Sequence, residues 1–243
     1  MKITKRRLDI ELVRRGLVQS RSQAENYIKL GDIYVNNKVI QKAGTPVSET
    51  DKIDLKSAGK YVSRAGLKLA SVAENLKVDF ATKTVLDVGS STGGFTDYAL
   101  QHGAKKVFAV DVGTEQLHPS LRNDERIELR EKTDIRDFIP NEPIDIVVID
   151  VSFISLRDIL PHIANIAAKN TEIIAMLKPQ FEAGRGQTNK GVIKNNSVRR
   201  KILADFELWS EKYFVIADKR DSEVAGQKGN VERFYKLNLP KVQ

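Results

Sequence analysis

The chain has no cysteine among its 243 residues. That excludes disulfides and thiolate-held metal, and fits a reducing compartment. Its three histidines are scattered and give no metal-ligand spacing. Long apolar runs are missing too. The best, residues 144–156, is cut by Asp145, Asp150, Ser152 and Ser155, short of the ~18 residues that mark a membrane helix. The opening residues, MKITKRRLDIELVRRG, hold no apolar stretch of signal-peptide length. These absences argue against a secreted, membrane-spanning or metal-centred protein and for a cytoplasmic one.

What is present is an ordinary globular composition, 41% hydrophobic and 30% charged. The length suits one large domain or two smaller ones. The net charge of +8 is unevenly placed: residues 1–60 carry 13 Lys and Arg against 7 Asp and Glu. A small basic head on a nearly neutral body suggests a module that binds a polyanion.

The body is organised around residues 84–97, TVLDVGSSTGGFTD. A β-branched strand over 84–88 runs into a turn with Gly89, Gly93 and Gly94, then into a helical pattern over 96–102. A strand, a glycine turn and a helix make a binding edge for a nucleotide-like ligand. The spacing is D-x-G-x-x-x-G-G-F rather than the dinucleotide G-x-G-x-x-G. The leading acid, Asp87, has no use beside a pyrophosphate but suits a cationic amino group, as in S-adenosylmethionine. Asp111 ends the next strand, 22 residues after Gly89, where an acid holds a ribose hydroxyl in doubly wound sheets. Gly89, Ser90, Gly93, Gly94 and Phe95 are then expected at the amino-acid end of the cofactor. Asp134 and Ile135 are expected to flank the adenine, although Asp134 reads equally well as a turn or helix cap.

In the head, Leu8, Leu12 and Val13 recur at helical spacing up to Gly16, a C-terminal stop. Ser20 reads as the N-cap of a second helix over 21–30, closed by Gly31. A hairpin follows, with strands over 32–35 and 38–40 joined by Asn36-Asn37. The pattern RRLDIELVRRGLVQSRSQAENYIKLGDIYVNNKVIQKAGTPV resembles the S-four-type RNA-binding domain over residues 4–57. The resemblance implies that Arg6, Arg7, Arg14, Arg15, Arg21 and Lys29 meet RNA phosphates, giving affinity with strong salt dependence and little base readout. Residues 57–60, SAGK, read as a junction, with domains over 1–59 and 60–243.

Beyond a helix over 61–76, strands and helices alternate, which argues a parallel sheet. Strands are expected over 84–88, 106–111, 126–131, 144–150, 171–177, 214–219 and 232–239, with helices over 156–168 and 197–212. The stretch 180–196, QFEAGRGQTNKGVIKNN, reads as a long mobile substrate lid. Ligands of open α/β sheets sit at the carboxyl ends of the strands, so Asp150, Lys178 and Glu232 draw attention, with Lys68 from the leading helix.

The motifs DVGSSTGGFTD, IDIVVIDVSF, IAMLKPQFE and GNVERFY closely resemble the FtsJ-like ribose 2′-O-methyltransferases. With the head, their order is similar to the TlyA family, historically called hemolysins. The resemblance implies an α/β fold, a Rossmann-like class I methyltransferase with a seven-stranded, mostly parallel sheet in the order 3-2-1-4-5-7-6, beside the small S-four-type domain. It also implies S-adenosylmethionine as cofactor, a cytidine ribose of ribosomal RNA as acceptor, and Lys68, Asp150, Lys178 and Glu232 as a catalytic tetrad. The junction departs from the family pattern: Gly59-Lys60-Tyr61-Val62 replaces a linker with Arg and Trp, so coupling between the domains is expected to differ from that of better-known members.

For Lys178 two roles stay open, general base and orienting cation. A neighbouring Lys68 lowers its pKa, whereas Asp150 and Glu232 raise it. Three rival classes follow from the same sequence: a non-catalytic RNA-binding assembly factor, a membrane-active hemolysin and a nicotinamide enzyme. The intact tetrad disfavours the first, the missing span and pore segment the second, and the glycine spacing the third. Nucleotide, ribosomal subunit and oligomeric state are left open.

Overall fold

The computed structural model describes residues 5–18, 20–55, 60–184, 186–189, 191–226 and 229–240, without the side chains of residues 22, 26, 29 and 30. The head opens on strand β1 (Lys5–Arg7), helix α1 (Leu8–Arg14) and helix α2 (Arg21–Leu30). Leu8 and Leu12 of α1 are fully buried with Ala24, Tyr27 and Ile28 of α2, so the helical stripe in the sequence is the core face. Ser20 caps α2, accepting from the Gln23 amide at 3.2 Å. Gly31 ends it in the left-handed conformation, at φ +86°, where a Cβ is disfavoured. The expected hairpin is β2 (Ile33–Val35) and β3 (Lys38–Val39), with Asn36 and Asn37 both at positive φ, as a type I′ turn requires. Two further strands, β4 (Pro46–Ser48) and β5 (Ile53–Leu55), pair with β1 and β2. At three residues each they are too short for an alternating pattern to show. The junction expected at 57–60 falls mostly on residues 56–59, outside the described residues.

The second part holds α3 (Arg64–Ala73), β6 (Thr84–Val88), α4 (Gly94–Gln101), β7 (Lys106–Val110), β8 (Ile127–Arg130), β9 (Ile146–Ile149), α5 (Leu160–Ile166), β10 (Glu172–Leu177), α6 (Pro179–Glu182), α7 (Asn196–Ser210), β11 (Val215–Asp221) and β12 (Arg233–Asn238). Seven of these strands form one sheet in the order β8-β7-β6-β9-β10-β12-β11. In chain order that is 3-2-1-4-5-7-6, as the resemblance implies. Strands β6 to β10 run parallel, and β12 runs against both β10 and β11.

Both faces of the sheet are covered. Val85, Val107, Val148 and Ile174 meet Leu69 and Val72 of α3 and Ala99 of α4. Leu86, Phe108, Val147 and Ile173 meet Ile163 of α5 and Phe206 of α7 on the other side. This two-sided burial is why the strands read as continuous apolar runs rather than alternating ones.

Three elements differ from the sequence expectation. The helix expected over 156–168 is a 3-10 turn (Leu156–Asp158) followed by α5. Pro161 lies in the first turn of α5, the one place where its missing N–H is harmless. The helix expected over 61–76 shortens to α3, because the Asp97 carboxylate holds the Val62 amide at 2.7 Å outside it. The lid expected over 180–196 is anchored at its start. Glu182, at the end of α6, accepts from the Ser155 hydroxyl at 2.6 Å and the Leu156 amide at 2.7 Å, and burial pushes its carboxyl pKa up. Further along, the Asn230 side chain accepts from the Ile193 amide at 3.0 Å and donates to the Gly191 carbonyl at 2.9 Å.

Candidate active site

Strand β6 lies between β7 and β9, so the chain reverses its direction of travel across the sheet there. Such a switch point opens a crevice beyond the strand ends. Gly89 leaves β6 at φ +78°, and a Cβ on it would stand 2.8 Å from the Asp150 carbonyl. Only glycine lets the β6 turn and the end of β9 approach this closely. Gly93 does not face the crevice: at φ +90° it is walled by Leu117 and Leu121, 2.7 and 2.6 Å from where its Cβ would stand.

The crevice has two adjoining compartments that share Gly89, Ser91, Asp150 and Ser152 as walls. The first, about 250 Å³, is lined by Lys68, Asp87, Ser90, Gly94, Phe95 and Lys178 among others. Asp87 is buried, and one of its oxygens accepts from the Thr96 amide at 2.9 Å and the Thr96 hydroxyl at 2.6 Å. Burial pushes its pKa up to about 7, with the nearby Asp150 and Asp111 adding and the Thr96 bonds opposing. Its second oxygen and the Ser90 hydroxyl are buried without a hydrogen-bond partner. Orphaned acceptors of this kind need an account, and a cationic amino group seated there supplies one.

The second compartment, about 540 Å³, is lined by Asp111, Val112, Gln116, Asp134, Ile135 and Phe153 among others. Asp111 takes the Ser91 and Gly113 amides at 2.8 and 2.7 Å, which fixes its carboxylate at the rim. Asp134 has both readings at once. It caps the 3-10 turn Ile135–Asp137, and its pairing with Arg136 holds its pKa down at about 2.

The four charged residues singled out in the sequence form two ion pairs. Lys178 Nζ stands 2.6 Å from Asp150 and donates to Ser152 Oγ at 2.7 Å. Lys68 Nζ stands 3.1 Å from Glu232. Both lysines line the first compartment, with side chains 12% exposed, and the Glu232 side chain is only 3% exposed. Its placement depends on Gly226, where a Cβ would stand 2.5 Å from the carboxylate.

Several wall residues escape a reading of the sequence. Ser152 follows Asp150 by two positions and was legible in principle as a polar residue in an apolar run. Phe153 is 91% exposed, sits at φ +67° and leans on Phe181 with ring centres 5.2 Å apart. Left-handed backbone is unusual for an aromatic residue and is tolerated where function constrains it. Glu25 enters the second compartment from helix α2 of the head. That helix rests on the 117–118 segment, with Gln23 donating to the Leu117 carbonyl at 3.4 Å and Tyr27 edge-on to His118 at 5.5 Å. No sequence signal announces a contact of that range.

Five arginines of the head are paired with carboxylates. Arg7 and Arg21 both donate to Asp9, and Arg14 and Arg15 both donate to Glu11. Arg6 pairs with Glu49 at 2.7 Å. Arg15 differs from the others in its surroundings. Besides Glu11 it donates to the Asp51, Ser48 and Glu49 carbonyls and is 21% exposed, so it ties down the turn between β4 and β5. The Lys29 side chain lies outside the described residues. Among the described residues, no helix is long and apolar enough to cross a membrane.

Comparison with known proteins agrees with this layout. Residues 61–239 match the FtsJ-like methyltransferase family and residues 6–53 the S4 domain. The chain is 39% identical to the 16S/23S rRNA (cytidine-2'-O)-methyltransferase TlyA of Mycobacterium tuberculosis strain H37Rv, over 94% of this chain and 88% of that one. It is 44% identical to the 23S rRNA (cytidine-2'-O)-methyltransferase TlyA of Campylobacter jejuni, over 76% and 73%. A solved structure named "Putative hemolysin from Streptococcus thermophilus" superposes with a TM-score of 0.76 at 35% identity, covering 98% of this chain and 90% of that one. The chain belongs to the TlyA family, an S4 domain joined to an FtsJ-like methyltransferase domain.

Proposed function

We propose that this protein transfers a methyl group from S-adenosylmethionine to the ribose 2′-hydroxyl of a cytidine in ribosomal RNA, with residues 1–59 as the RNA-docking head and 60–243 as the catalytic domain. The observation that carries the reading is the pairing of Lys178 with Asp150 and of Lys68 with Glu232 around one compartment that adjoins the glycine turn. A protein that only bound RNA would have no use for two largely enclosed lysine–carboxylate pairs, assembled from distant parts of the chain, facing a shared space.

The residues present suit the cofactor. Asp87 and Ser90 hold the amino-acid end against the Gly89–Gly94 turn and Phe95, Asp111 takes the ribose, and Asp134 and Ile135 flank the adenine. When bound, S-adenosylmethionine supplies an electrophilic methyl carbon on a sulfonium. The acceptor oxygen would bond the methyl carbon as the C–S bond breaks, with the hydroxyl proton passing to a neutral Lys178 if that residue is the base, or to solvent water if it is an orienting cation. Positioning carries much of such an in-line displacement. Lys178 is held by Asp150 and Ser152, and an ammonium so held keeps a third N–H for the acceptor oxygen. Lys68 and Glu232 fix the acceptor from the other side. A pH–rate profile separates the two roles of Lys178. A base gives a rate that climbs as the lysine loses its proton, and an orienting cation gives one that falls.

Phe153 presents a bare aromatic face at the lip, the kind of surface on which RNA-binding proteins stack a splayed base. A ribosomal substrate supports a cytoplasmic location. The test is methyl transfer from labelled S-adenosylmethionine to purified ribosomal subunits. Label enters RNA with wild type and not with Lys178→Ala, while the variant still binds cofactor. Retained turnover in Lys178→Ala would sink the assignment.

A further inference from the structure

The head's arginines are arranged in a way that their number does not explain. Asp9 and Glu11 sit on the first helix with side chains 0% and 1% exposed. Asp9 takes Arg7 side-on, Nε at 2.9 Å and Nη2 at 3.0 Å, and also takes Arg21 Nη2 at 2.8 Å. Glu11 takes Arg14 side-on, Nε at 2.8 Å and Nη2 at 2.7 Å, and Arg15 Nε at 2.8 Å. The Arg7, Arg14 and Arg21 side chains are nonetheless 47–58% exposed. A guanidinium has five N–H donors in a rigid fork, and a side-on carboxylate pair uses two of them. Arg7 and Arg14 each keep three.

We propose that Asp9 and Glu11 are positioning residues of the RNA face, holding Arg7, Arg21 and Arg14 on fixed buried carboxylates so that the guanidinium edges left unpaired are set in place for phosphates. This rests on the reading of the head as an rRNA-docking module. The physical gain is preorganisation. A planar fork already held at one edge loses little rotamer freedom when a phosphate takes the other edge. Each carboxylate also cancels one charge, so the surface relies on geometry more than on net charge.

This makes the sign of a charge effect testable. Asp9→Asn and Glu49→Gln each remove one negative charge from the same domain. Glu49 is an exposed partner of Arg6, at 58%. Simple electrostatics has both variants bind RNA more tightly. Preorganisation has Glu49→Gln bind as well as wild type or better, and Asp9→Asn bind about tenfold more weakly, because two rotamer-rich side chains must then be ordered on binding. The measurement is equilibrium binding of the full chain to purified ribosomal RNA, with thermal unfolding and cofactor affinity as checks on folding. Asp9→Asn binding as tightly as Glu49→Gln overturns the proposal.

A second variant guards against a misfolded head. Arg7→Lys with Arg21→Lys keeps both charges and Asp9 but loses the forks. It too should bind about tenfold more weakly, and wild-type affinity in it overturns the proposal. Wild type failing to bind the RNA at all would instead remove the docking reading on which the proposal stands.

Discussion

The head and the catalytic domain both set cations against carboxylates, and they do so in opposite ways. In the head most partners are close in sequence, Arg7 with Asp9 and Glu11 with Arg14 and Arg15, and Arg7 and Arg14 stay half exposed. In the catalytic domain the partners are far apart, Lys68 with Glu232 and Lys178 with Asp150, and both lysines are nearly buried. The head uses arginine, a rigid fork that matches phosphate. The active site uses lysine, a compact charge that is readily tuned and can exchange a proton. A local pair on a helix surface arranges donors for a partner to come. A long-range pair at the strand ends exists only once the sheet has formed, and so ties the chemistry to the fold.

Predictions that break or sharpen this contrast fall in order of size. The largest is Lys178→Ala, which should lower turnover by roughly 10²–10⁴-fold, the range for a positioned acid–base group. Cofactor affinity should hold near wild type, measured by calorimetry. An equal fall in both would make Lys178 part of the binding site rather than of the reaction. Next comes Phe153→Ala. Losing a stacking face should cost about 1–3 kcal/mol of RNA binding. The loss should appear as a raised KM for ribosomal subunits with kcat nearly kept.

A smaller effect concerns Asp87. Burial keeps it largely neutral below pH 7, whereas a bound amino group favours its ionised form. Binding should therefore release a proton, and affinity for S-adenosylhomocysteine should rise with pH up to about 7, by at most about tenfold per unit. Asp87→Asn should flatten that slope. A slope of the opposite sign would place the amino group elsewhere.

The smallest effect belongs to the head. Its arginine partners hold both Asp9 and Glu11 down at about 2, below the values near 4 of an unfolded chain. That stability is present above pH 4 and lost as pH falls from about 4 to 2. Thermal melts across that range should show it, and Asp9→Asn should blunt the change.

The fold was largely legible because its strands are two-sided and apolar. The span read for β6, 84–88, matches the observed strand. The misses have physical causes. Strands β4 and β5 are three residues long, Pro161 splits one helical pattern, and Glu182 packs away the first part of the supposed lid. The four residues of the two lysine pairs stood out because each falls at a strand end or on the helix leading into the sheet. Asp87 stood out because it precedes the turn. Glu25 could not, since it reaches the cleft from another domain. Arg7 with Asp9, and Arg14 and Arg15 with Glu11, were legible at spacings of two to four residues and were missed by counting cations singly; Arg21 reaches Asp9 from the second helix.

The most direct test of the central claim is the chemical position of the transferred methyl. Ribosomal subunits methylated by wild type are digested to nucleosides and analysed by mass spectrometry. The account predicts 2′-O-methylcytidine, absent when Lys178→Ala or Glu232→Gln replaces wild type. A methyl group on a base, or on ribosomal protein, would contradict it.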